Sequence, residues 1–262
     1  MKVVVYTCII GNYDNLFSPL KKTPGVDFVV LADRRYPLTF GWRARPAPHL
    51  PDSAPQKPAL INRYAKMHPH LIFEDYDIAV YVDANFLIKS DLTPLIKAFA
   101  ASGKDIGQFH HFKGYGISDE IDAAIEIGRV KPEDVAIARA QQARYNDLGY
   151  GDLPVTENNI LFYNLRSAKL IDALGNWWEE LNRFAPRDQF SSPFIFRQAA
   201  LDIHYWDFSQ RAENPYFHMK RHKPEKGFTA TETIRTLEPY KWYYRLLWMP
   251  IKALKRALGR PV

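Results

Sequence analysis

Ala79-Val80-Tyr81-Val82-Asp83-Ala84-Asn85-Phe86-Leu87-Ile88 is an apolar run of strand length, broken by two short oxygen-bearing side chains one residue apart. Strand interiors rarely hold Asp and Asn together, so the polar pair is expected at the carboxyl end of a strand. Open α/β sheets bind their ligands at that end. Two hard oxygen ligands with this spacing suit a divalent cation that also grips a diphosphate. The same pattern fits a plain strand-to-turn corner in which Asp83 and Asn85 bond to nearby backbone. The rest of the chain decides between the two.

Other strand-like runs lie at 2–10, 27–32, 105–109 and 159–163, with helical patterns near 56–67, 91–101, 118–128, 132–147 and 167–184. Strands alternating with helices predict an α/β fold, a mostly parallel central sheet flanked by helices. The proline-rich segment 33–55 reads as a loop. No internal repeat or domain boundary interrupts the chain before about residue 235, so 1–235 is expected to form one domain and 236–262 a tail.

The 262 residues are enough for a full core. One cysteine, Cys8, excludes an internal disulfide framework and fits a reducing compartment, and its place in an apolar run marks it as a small buried hydrophobe. The net charge of +6 equals the six Lys and Arg of residues 241–262, which contain no Asp or Glu. Residues 1–240 therefore balance, and the basic groove that a nucleic acid needs is not expected. Lys241, Arg245, Lys252 and Arg256 follow helical spacing among Trp242, Leu246, Trp248, Ile251 and Leu254, with a kink expected at Pro250. Such a helix suits an anionic membrane surface, or else docks on its own body or on a partner protein. With no signal-peptide pattern and no apolar run of bilayer length, the expected location is cytoplasmic, peripheral at the inner face of the membrane.

Candidate site residues cluster around strand ends. The first strand, which carries Thr7, runs into Gly11-Asn12-Tyr13-Asp14, a tight loop at the ligand-binding end. The second ends in Asp33-Arg34-Arg35, where a carboxylate can accept from a base or ribose and a guanidinium can meet phosphate. On the helix before Asp83, Asn62 and Lys66 share a face and Arg63 lies beside Lys66, so a basic face reaches toward the same site. All of these also read as surface turns or a solvated helix face. Glu157 and Asn159 enter a strand through polar sequence and suit sugar hydroxyls. In Arg187-Asp188-Gln189, Asp188 either caps a short helix or faces a sugar or acceptor hydroxyl. His218 and His222 stand four apart, and His218 is the candidate third metal ligand.

Asp83-Ala84-Asn85 is similar to the Asp-x-Asp signature of nucleotide-sugar glycosyltransferases, with Asn in place of the second Asp. The ordered set Tyr6 to Asp14, Arg63, Lys66 and His70, Tyr81 to Asn85, His110 to Glu120, Gln142 to Tyr145, Trp178 and Arg187-Asp188-Gln189 resembles the DUF616 family of hexosyltransferase-like proteins, over roughly residues 3 to 200. The resemblance implies a GT-A fold, a nucleotide-sugar donor (a UDP-sugar first) and Mn²⁺ or Mg²⁺. It makes Asp83 and Asn85 metal or diphosphate ligands, Arg63 and Lys66 donor contacts, and Asp188 a sugar-facing or catalytic carboxylate. Thr7, Gly11, Asp33, Glu157, Asn159 and Gln189 complete the expected donor-binding set. The implied reaction moves a hexose to a hydroxyl of a glycan or lipid-linked glycan, a cell-surface glycan precursor. A non-catalytic glycan- or nucleotide-binding module on the same fold is the alternative.

Overall fold

The computed structural model describes residues 1–11, 13–34, 41–52, 54–211, 214–220, 222, 250 and 253–254. The basic tail expected over 236–262 lies almost entirely outside the described residues, as does the boundary at 235.

Seven strands form the central sheet: β1 (Val3–Ile9), β2 (Val26–Ala32), β3 (Arg43–Pro46), β4 (Ile78–Val82), β6 (Ile106–His110), β7 (Thr156–Asn164) and β8 (Ile203–Trp206). Their order is β3-β2-β1-β4-β7-β6-β8. Only β7 runs against the others; it pairs antiparallel with both β4 and β6, while the remaining neighbours are parallel. A two-stranded antiparallel sheet joins β5 (Phe86–Ile88) to β9 (Phe217–Met219). The mixed α/β architecture with a helix-flanked sheet is the one expected from the sequence.

Every residue of β1 and β4 is buried, as in strands covered on both faces. Strand alternation sorts them into two cores. Val4, Tyr6 and Cys8 join Ala65 and Met67 of α1 (Pro58–Met67), Leu174 and Trp177 of α6 (Ala168–Arg183), and Phe194 of α7 (Asp188–Gln198). Val3, Val5 and Ile9 pack on the other face with Leu95, Ile96 and Phe99 of α3 (Thr93–Ser102). The remaining helices are α2 (Pro69–Ile72), α4 (Ile117–Glu126) and α5 (Val135–Asp147), the last preceded by a 3₁₀ turn at Pro132–Asp134. Ser167 caps α6 by accepting from the Leu170 amide at 3.1 Å. Among the described residues, no helix is long and apolar enough to cross a membrane.

β3 corrects the expectation of a loop over 33–55. It is an edge strand, three of whose four residues, Arg43, Ala44 and Pro46, are exposed, so no apolar alternation announces it. Gly107 on β6 marks the tightest approach in the second core. A Cβ there would sit 2.7 Å from Trp206 Cη2 and 3.1 Å from Phe162 Cβ. Gly107→Ala is therefore expected to cost about 1–3 kcal/mol through overpacking, read from the midpoint of urea unfolding. An unchanged midpoint would show that the Trp206 ring moves aside freely.

Candidate active site

The strand order explains which residues meet. β1 and β4 are parallel neighbours, so the loop after β1 and the Asp83-Ala84-Asn85 turn emerge at the same edge. β7 runs the other way, so its beginning, not its end, lies at that edge; Val82 pairs with Ile160, and the Asp83 amide donates to Asn159 O at 2.8 Å. One side of α1, from Pro58 to Lys66, and the start of α7 close the space from the first core's face. The result is a cleft of ≈ 840 Å³.

At its centre is a chain of charges. Lys66 Nζ, nearly buried, lies 2.7 Å from Asp188 Oδ2 and 3.9 Å from Asp83 Oδ1. It also sits 4.9 Å from the centre of the Tyr81 ring. Asp83 accepts from the Tyr81 hydroxyl at 2.6 Å and from Asn159 Nδ2 at 2.5 Å. Burial, and after it the neighbouring Asp83, pushes the Tyr81 phenol well above 10.0, so it remains the proton donor of that pair. Burial pushes the Asp188 carboxyl up, but Lys66, Arg63 and Arg187 together outweigh it and hold it at about 2. Asp188 thus stays ionised at any physiological pH. It opens α7 but does not cap it: the N-cap position is Arg187, and the Asp188 carboxylate is spent on Lys66.

Five cations, Lys57, Arg63, Lys66, Arg129 and Arg187, line the cleft against three carboxylates, Asp14, Asp83 and Asp188. Asn62 steadies the approach by donating to Cys8 O at 2.8 Å. Arg63 donates to Ala59 O at 3.1 Å, while its buried Nε has no partner among the described residues. Arg187 reaches Glu120 and Gln189, each at 3.1 Å. The excess of positive charge suits an anion larger than a carboxylate.

The expected residues divide. Asp83, Asn85, Arg63, Lys66, Asn159, Asp188 and Gln189 all line the cleft. Gly11 sits beside it at φ +67°, with its amide donating to Asp33 Oδ2 at 2.8 Å. Asp33 thereby holds the loop and does not itself line the cleft. Thr7 does not line it either; it shares the face of Val5 and Ile9, turned into the second core. Glu157, fully buried, is committed to Arg211 through bonds of 2.6 and 2.7 Å and to Gln210 at 2.9 Å. His218 stands opposite Leu87 on β9, exposed and outside the cleft lining. His222 lines the cleft in its stead, its Nδ1 2.8 Å from Asp14 Oδ2. Asp14 lines the cleft from the loop expected at the ligand-binding end, whereas Arg129 and Lys57 have no such expectation; Arg129 follows Gly128 in what reads locally as an ordinary helix exit.

Asn85 has two jobs. Its backbone O accepts from the Lys220 amide at 2.7 Å and its Nδ2 donates to Lys220 O at 3.2 Å, clipping the incoming 217–220 segment to the turn. Its Oδ1 is buried and has no partner among the described residues. An unpartnered amide oxygen two residues from the Asp83 carboxylate fits a hard divalent cation whose other ligands come from a bound anion. No group of three His, Cys, Asp or Glu that could hold a metal by itself occurs among the described residues.

No family model matches this chain, and no curated protein matches it. Solved glycosyltransferases are similar to it. The apo structure of the bifunctional glycosyltransferase WbbM is 13% identical over 78% of this chain and 38% of its own, with a TM-score of 0.49. Apo mouse xyloside xylosyltransferase 1 is 9% identical over 79% of this chain and 85% of its own, with a TM-score of 0.46. The chain thus spans well under half of WbbM's length.

Proposed function

We propose that this protein is a glycosyltransferase of GT-A type that binds a nucleoside-diphosphate sugar in the cleft and transfers its hexose to an acceptor hydroxyl. The convergence of Arg63 and Lys66 on Asp83 and Asp188, at the carboxyl ends of β1 and β4, carries the reading. The departing diphosphate gathers negative charge as the glycosidic bond breaks, and fixed cations in a partly desolvated cleft stabilise that charge better than water does. Asp83 and Asn85 would hold a divalent cation, Mn²⁺ or Mg²⁺, which when bound adds Lewis-acid stabilisation of the same leaving group.

Asp188 is assigned to the donor sugar. A carboxylate held at about 2 by its cations is a poor proton acceptor at neutral pH, where a general base works best with a pKa near the working pH. It is a good hydrogen-bond acceptor for a sugar hydroxyl and a good electrostatic partner for positive charge developing at the anomeric carbon. Tyr81 and Asn159 orient Asp83, and Lys66 ties Asp83 to Asp188, so that leaving-group and sugar contacts are held in one geometry. The resemblance to DUF616 supports a hexose donor, UDP-linked first, and a cell-surface glycan precursor as acceptor. A cytoplasmic site at the inner membrane face, held by the basic tail, belongs to the same proposal.

The test is thermal stability across nucleoside diphosphates and nucleotide sugars, with and without Mn²⁺. A ligand at about 100 times its Kd adds about 2.7 kcal/mol, which a melting curve resolves. One donor is expected to raise the melting temperature, more so with Mn²⁺, and Asp83→Ala is expected to remove the metal-dependent part. No shift with any donor in folded protein would refute the reading.

A further inference from the structure

The segment after β8 returns across the sheet edge and is pinned at two points. Arg211 and Gln210 bind buried Glu157, Gln210 also donating to Asn159 Oδ1 at 2.9 Å, and Lys220 is clipped by Asn85. The two pins deliver His222 to the cleft wall, where the nearly buried Asp14 carboxylate meets its Nδ1 at 2.8 Å and the Tyr13 ring centre lies 5.5 Å away. A carboxylate on Nδ1 fixes the ring and leaves Nε2 as the outward group, the arrangement in which an imidazole is held to donate to, or take a proton from, a ligand.

We propose that Asp14 and His222 form a phosphate-binding pair, in which the imidazolium donates from Nε2 to the terminal phosphate of the bound diphosphate. The inference rests on reading the cleft as a diphosphate site. The charged groups facing His222 are Asp14 from the loop after β1, Asp83 from the end of β4 and Arg129 from the exit of α4. The Asp14 hydrogen bond favours the protonated ring; burial opposes it, the charges of Asp14 and Asp83 add to the bond, and Arg129 works against it, for a net rise. A phosphate dianion arriving at Nε2 strengthens the same preference. His222 then adds a positive contact that weakens as pH rises, unlike the permanent charge of Arg63, Arg129 and Arg187.

The experiment is isothermal titration of the full chain with inorganic pyrophosphate in metal-free buffer, at about pH 6 and about pH 8.5, for the wild type, His222→Gln, His222→Lys and Asp14→Asn. At the lower pH, His222→Gln is expected to bind roughly tenfold more weakly than the wild type, and at the higher pH the two are expected to converge. Comparison with His222→Gln cancels the titration of pyrophosphate itself. His222→Lys is expected to match the wild type at the lower pH and to bind more tightly than the wild type at the higher, because its charge persists there. Asp14→Asn is expected to lose the advantage at a lower pH than the wild type does. Wild-type binding that His222→Gln leaves unchanged at both pH values overturns the pair and leaves the diphosphate cleft standing. No binding of pyrophosphate by the wild type overturns both.

Discussion

Asp188→Asn is expected to lower transfer by roughly 10²–10³-fold while leaving the fold intact, because it removes a fixed charge that the reaction uses and nothing that the core needs. Asn has the same shape and can still accept from Lys66, but it carries no charge to place against the sugar. The loss should fall on kcat with little change in the affinity for the free nucleoside diphosphate, since the diphosphate contacts lie on the cationic side of the cleft. Stability gives a second readout with a definite sign. Asp188 titrates at about 2 in the folded chain against an ordinary 3.8, so its contribution is fully present above about pH 4 and disappears as pH falls through 2. The wild type should therefore exceed Asp188→Asn by about 2 kcal/mol near neutrality, and the gap should close in acid. A gap that persists at the lowest pH would mean that the carboxylate's shape, and not its charge, is what the fold needs.

The second large effect concerns the return segment. Arg211→Met is expected to destabilise the chain by about 3–5 kcal/mol, because it strands a fully buried Glu157 carboxylate without its cation. Glu157→Gln in the same chain should recover most of that loss, since a neutral amide at this depth needs no counter-charge and can still bond to Gln210. Urea unfolding of the two single variants and the double gives the coupling directly. Two losses that simply add would show that the pair does not act as a unit. The return segment carries His222, so Arg211→Met should also weaken pyrophosphate binding at low pH, where a lesion in the core alone would not.

Much of this architecture is legible because it is local. The run Val3–Ile9, the Ile78–Val82 run that stops at Asp83, and the apolar run at 159–163 each declare a strand in consecutive residues. Lys66 and Asp83 stand out as charges where an apolar pattern ends, and both line the cleft. What escapes is non-local or lacks a pattern. Arg43–Pro46 is a strand with almost nothing to bury, recognisable only by its neighbour β2. Lys66 and Asp188 lie 122 residues apart and Asp14 and His222 lie 208 apart, so neither pair has a spacing to read. Glu157 and Asn159 share one sequence context but have different fates. Asn159 meets Asp83 at the cleft, while Glu157 is drawn into the body by an Arg211 that the sequence gives no reason to place there. Thr7 is different again, since the two-residue period of β1 already aligns it with Val5 and Ile9, away from α1 and α7.

The most direct test is release of nucleoside diphosphate from a panel of nucleotide sugars, measured for the wild type, Asp83→Ala and Asp188→Asn under identical conditions. The account predicts release from one donor in preference to the rest, abolished or cut at least about 100-fold in both variants while both still melt cooperatively. Release from no donor by folded wild-type protein, or release that neither variant diminishes, would contradict it.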